Sequence, residues 1–61
     1  MNKLRMLRKQ KQLTQKEVVK DLPLSLSYYG LLENNLRRPT LPVAYALAQY
    51  YKCTIEDVFF S

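Results

Sequence analysis

The sequence predicts a compact all-α domain of five short helices, and three observations carry that expectation. Apolar residues recur at helical spacing, most clearly Val43, Ala44, Leu47, Ala48 and Tyr51. Hydroxyl residues stand where helices would begin, at Thr14, Ser25, Thr40 and Thr54. No stretch reads as a strand, because the one pair with β propensity, Tyr50-Tyr51, lies in a helical context.

Residues 2–11 read as the first helix, with Asn2 as its N-cap. Leu4 and Leu7 lie one turn apart and share a buried face, while Arg5, Arg8, Lys9 and Lys11 cover the rest. Thr14-Gln15-Lys16-Glu17 fits a capping box, in which hydroxyl and carboxylate each satisfy a backbone N–H of the first turn. The helix it opens places Val18 and Leu22 on one side and is expected to stop at Pro23, whose ring pushes Leu22 out of helical geometry. Only a tight turn then separates it from Ser25, which caps the third helix.

In that third helix, steps of about 100° per residue put Tyr29 and Leu32 on one side. Ser27, Gly30 and Leu31 fall opposite, with Leu26 and Tyr28 at the edges. If Tyr29 and Leu32 enter the core, the other set faces outward. Asn34-Asn35 close the helix, since Asn accepts left-handed geometry. Arg37-Arg38-Pro39 is an extended connection, Thr40 caps a fourth helix, and Pro42 suits its first turn. Thr54-Ile55-Glu56-Asp57 starts a fifth, with the acids at its positive end and Ile55, Val58 and Phe59 on its apolar side.

Sixty-one residues are expected to form one domain over residues 1–61. No apolar run reaches membrane-spanning length, and one cysteine cannot form an internal disulfide, so a cytoplasmic setting is the expectation. Residues 1–20 hold seven Lys or Arg against the single Glu17, whereas residues 41–61 hold Lys52 against Glu56 and Asp57. A small basic domain with its charge gathered at one end suits a polyanion. An enzyme is not expected: the chain lacks His, its lone Cys53 has no partner base, and no metal-ligand or phosphate-loop spacing occurs. No cofactor, metal or small-molecule substrate is therefore expected.

The order of these elements resembles the Cro and phage-repressor helix-turn-helix family, of XRE type and lambda repressor-like, over Leu4 to Phe59. The matching residues are Leu13-Thr14-Gln15-Lys16-Glu17, Ser25-Leu26-Ser27-Tyr28-Tyr29, Leu32-Glu33-Asn34, Arg37-Arg38-Pro39-Thr40 and Thr54-Ile55-Glu56-Asp57-Val58-Phe59. The resemblance implies a lambda repressor-like domain whose helix-turn-helix is helices two and three. It implies double-stranded DNA as partner, with the helix at about 25–33 lying in the major groove. Gln15, with Lys16 beside it, matches the start of the preceding helix, where the family touches phosphate or a base. Ser25 is chiefly a cap. Leu26, Ser27, Tyr28 and Leu31 match base-contacting positions. Asn34, Asn35, Arg37 and Arg38 match a phosphate-contacting loop, and Arg8 and Glu33 match a structural bridge. Family members usually act as dimers on near-palindromic operators, and Ile55, Phe59 and Phe60 are the residues expected at such an interface.

Departures from the family pattern matter as much. Glycines usual at its helix ends are replaced by Gln12, Pro23, Asn35 and Lys52. Asn35 is an easy substitute, Lys52 is costly, and Pro23 can never take a positive φ. The motif's turn must therefore be built differently. Leu26 and Leu31 stand where the family often has Arg, Gln or Lys. They can pack on thymine methyls but cannot bond guanine or adenine edges. The expected function is a phage- or prophage-type repressor or Cro-like regulator with weak or thymine-biased specificity. A protein-interaction module of antirepressor or antitoxin kind, motivated by Leu26, Leu31 and Tyr28, is the alternative. A binder of anionic membrane surfaces through the basic first helix is a third reading.

Overall fold

Local sequence signals set four of the five helix starts. The computed structural model describes residues 2–60; Met1 and Ser61, the ends of the expected domain, lie outside the described residues. The helices are α1 (Leu4–Gln10), α2 (Gln15–Val19), α3 (Leu26–Glu33), α4 (Leu41–Tyr50) and α5 (Ile55–Phe59), with no strand among the described residues. Thr14, Ser25, Thr40 and Thr54 each accept a hydrogen bond from the backbone N–H three residues on. At Thr14 and Thr54 the reciprocal bond is also made, by Glu17 and Asp57.

The first helix departs from expectation. It begins at Leu4 rather than at residue 2, and its N-cap position, Lys3, makes no side-chain cap. Asn2 Oδ1 nevertheless accepts from the Leu4 N–H at 3.0 Å. Its Nδ2 reaches across the fold to the Leu32 carbonyl at 2.7 Å and Asn35 Oδ1 at 3.0 Å. Asn2 thus joins the start of α1 to the end of α3, and the Lys3 N–H joins the same segment to the Val58 carbonyl of α5 at 2.8 Å.

Three helices end in one way. Gln12, Asn35 and Lys52 follow α1, α3 and α4 with φ of 57°, 60° and 57°. In each case the residue's N–H returns to the carbonyl three back, and the next N–H to the carbonyl five back: Gln12 to Lys9 and Leu13 to Arg8, Asn35 to Leu32 and Leu36 to Leu31, Lys52 to Gln49 and Cys53 to Ala48. This is the Schellman arrangement, normally built on glycine. Among the four helices that another helix follows, the exception is α2. Proline cannot enter the left-handed region, and α2 stops at Val19, well before the expected boundary at Pro23. Residues 20–25 form an irregular link in place of the expected tight turn.

The core takes one or more residues from every helix: Leu4, Val18, Tyr29, Leu32, Ala44, Leu47, Ala48 and Val58, with Tyr51 just past α4. Leu7, Leu22, Val43, Cys53, Ile55 and Phe59 are half-buried against it. The Tyr29 and Tyr51 hydroxyls meet at 2.7 Å inside this core. Burial pushes both phenols above the ordinary tyrosine range, so the pair is neutral. With Tyr29 and Leu32 inward, α3 turns its Ser27 side to solvent.

Strain at the helix ends gives a direct test. A side chain in left-handed backbone costs about 1 kcal/mol or more, so Lys52→Gly is expected to raise stability by about 1 kcal/mol, or about 5 °C in thermal unfolding. Asn35→Gly should change it less, because Asn tolerates this geometry.

Candidate nucleic-acid interface

Glu33, the last residue of α3, has a side chain with no exposed surface. Its carboxylate is met from two other helices. Arg8 Nε lies 2.6 Å from Oε2 and its Nη2 donates to Oε1 at 3.2 Å. Arg5 Nε approaches Oε1 at 3.4 Å, and Gln15 Nε2 donates to the same oxygen at 3.1 Å. Arg8 Nη1 also donates to the Leu13 carbonyl at 2.9 Å, tying the end of α1 to the start of α2. Burial alone would raise the Glu33 pKa, but the hydrogen bonds from Arg8 and Gln15 outweigh it and hold the carboxyl below its ordinary value. The same bond raises Arg8. Three segments are therefore locked around one anion.

This lock orients the outward side of α3. Leu26 and Ser27 are exposed there, while Gly30 and Leu31 are half-covered. Ser25 is exposed, its hydroxyl committed to the cap on Tyr28. Gln15 lies alongside: a β-carbon at Gly30 would be 3.7 Å from Gln15 Oε1. Tyr28 departs from the expected exposed strip, because its ring packs on the core and its hydroxyl donates to the Arg38 carbonyl at 3.2 Å. It fastens the front of α3 to the loop after it. Ser27 and Gln15 remain as polar groups facing out.

The loop that follows α3 is cationic and exposed. Arg37, Arg38 and, at α2, Lys16 make no ion pair among the described residues. Asn34 and Asn35 do internal work: Asn34 Oδ1 accepts from Arg5 Nη2, its Nδ2 donates to the Gly30 carbonyl at 3.0 Å, and Asn35 Oδ1 accepts from Asn2. Behind the loop, a groove of about 520 Å³ is lined by Arg37, Arg38, Leu41, Ile55, Phe59 and Phe60, among others. Ile55 and Phe59 pack inward on the core, while Phe60 is 77% exposed and Leu41 73% exposed. The residues expected at a dimer interface thus share one face, but only Phe60 projects freely from it.

For two residues named from the sequence, the long-range partner is not legible there. Asn2 bridges 30 residues to Leu32 and Gln15 bridges 18 to Glu33, and neither partner is signalled by local spacing. Among the described residues no group of His, Cys, Asp or Glu is placed to hold a metal, and no helix is long and apolar enough to cross a membrane.

The helices α2 and α3, held together through Glu33, are those of a DNA-binding helix-turn-helix regulator. The helix-turn-helix family model matches residues 4–58, and the chain belongs to that family in its XRE, lambda repressor-like form. No curated protein matches the sequence.

Removing one side of a buried pair leaves an unbalanced charge, so Arg8→Ala is expected to cost about 3 kcal/mol in urea unfolding. Acid is expected to act through the same carboxyl. The folded pKa of Glu33 lies below the ordinary 4.5, so its stabilisation is whole above that value and is lost as pH falls through the folded one. Urea midpoints measured on acidification should fall less steeply in Glu33→Gln. The residual slope would come from Glu17, whose pKa is lowered chiefly by the Thr14 backbone N–H.

Proposed function

We propose that this chain is a phage- or prophage-type repressor or Cro-like switch, its residues 1–61 acting as one DNA-binding domain. The observation that carries this reading is the α3 face, held outward by the Glu33 lock and flanked by Lys16, Arg37 and Arg38 without ion pairs. In it, α3 enters the major groove, Leu26 and Leu31 pack on thymine methyls, and Ser27 and Gln15 supply the polar contacts. Lys16, Arg37 and Arg38 neutralise phosphates, with the Asn35 amide and the exposed Ser25 and Asn34 beside them. Tyr28 serves chiefly as a clamp that can offer its ring edge to a base.

A homodimer on a near-palindromic operator extends the proposal. The groove beside Leu41, Ile55, Phe59 and Phe60 is the face assigned to it. Half-sites would then lie about 34 Å apart, one turn of the duplex.

Selection from a random duplex pool at fixed salt tests the reading. It is expected to recover A·T-biased sites with few guanine requirements; a strict guanine at several positions would contradict it. Replacing Arg37 and Arg38 together with Ala should weaken binding evenly across sequences and reduce the salt slope by about 2. Stability should move by no more than about 0.5 kcal/mol. Salt-insensitive capture of a protein, with no retention of duplex, would instead favour the antirepressor or antitoxin-like alternative.

A further inference from the structure

Gly30 is the only glycine in the chain, and nothing inside the fold asks for it. It lies in the middle of α3 with no positive φ. A β-carbon there would meet only the Gln15 amide, Oε1 at 3.7 Å and Nε2 at 4.0 Å, which is ordinary contact. Glycine in a helix interior is less stable than alanine, both in backbone entropy and in exposed backbone. The fold alone would be better served by alanine, so the opening answers to something that approaches from outside.

The Gln15 amide lies against that opening in a defined orientation. The Glu33 carboxylate is ionised and can only accept, so the nitrogen end of the amide must face it, as it does at 3.1 Å. One N–H is thereby used. Oε1 and the second N–H have no hydrogen bond among the described residues. Together they form an acceptor beside a donor, the complement of adenine N6–H and N7 in the major groove. A phosphate, which only accepts, would use the N–H and leave the oxygen idle.

We infer that the duplex comes closest to α3 at Gly30 and that the Gln15 edge at that opening reads one adenine. This rests on the DNA reading proposed above and adds to it a base identity and a second residue, Gly30, that sets it. A methyl at position 30 would touch the amide oxygen and occupy the clearance that a purine edge needs.

The test uses the whole chain, the duplex recovered by the unaltered protein, and duplexes with each base pair replaced in turn. Gly30→Ala is expected to melt about 5 °C higher yet bind the recovered duplex about tenfold more weakly at the same salt. Both Gly30→Ala and Gln15→Ala should lose the preference for adenine at one shared position while keeping the salt slope. Gly30→Ala binding with unaltered affinity and preference would overturn the inference. An even loss across all sequences in Gln15→Ala would also overturn it, marking a phosphate contact. If the unaltered protein retains no duplex at low salt, the DNA reading itself fails and takes this inference with it.

Discussion

A carboxylate without exposed surface has to be surrounded by donors, and Glu33 obtains them only if α1, α2 and α3 meet in one arrangement. Its place makes the demand stricter. The C-terminal end of a helix carries partial negative charge, so an anion there is disfavoured unless cations are brought to it. Arg8 and Arg5 supply them from α1, and Gln15 adds a neutral donor from α2. Desolvation works against this attraction, and the hydrogen bonds from Arg8 and Gln15 outweigh it. What the cluster confers is a single setting of α3 relative to its neighbours.

The remaining ties work in the same direction. Asn2 grips the end of α3 through the Leu32 carbonyl, and Tyr28 grips its front through the Arg38 carbonyl. Helix ends limit how far each segment can run. Three of them accept a left-handed residue other than glycine, at some cost in strain, and thereby keep sharp turns. Pro23 forbids that solution after α2, and the helix gives up its last turn. The link between α2 and α3 is consequently longer and less regular than the tight turn its sequence suggests, while the Glu33 cluster still holds the two helices together.

How much of this was legible in the sequence follows from the range of each interaction. The caps at Thr14, Ser25, Thr40 and Thr54 are made three residues away, and they fell where the residue types indicated. Tyr29 and Leu32 were readable as core because helical spacing groups them. The left-handed residues Asn35 and Lys52 were visible as replacements for glycine. The early end of α2 was not, because proline marks where a helix cannot pass but not where it stops. Asn2 was readable as a cap but not as a bridge, since its partner lies 30 residues on. Tyr28 matches a base-contacting position in the sequence, and spacing alone cannot show that a carbonyl ten residues away is close enough to accept from its hydroxyl. The link from Gln15 to Glu33 likewise exists only once the fold has closed.

Positioning of α3 by the Glu33 cluster can be separated from its part in stabilising the domain. Replacing a buried ion pair by apolar residues of similar volume is often neutral or stabilising, so Arg8→Met combined with Glu33→Leu should remain folded by circular dichroism. The decisive measurement is the affinity of that folded double variant for the duplex selected by the unaltered protein. A loss of about tenfold or more, in a chain as stable as before, is the result expected from a mispositioned reading helix. Unchanged affinity would contradict the account and reduce the cluster to one structural contact among many.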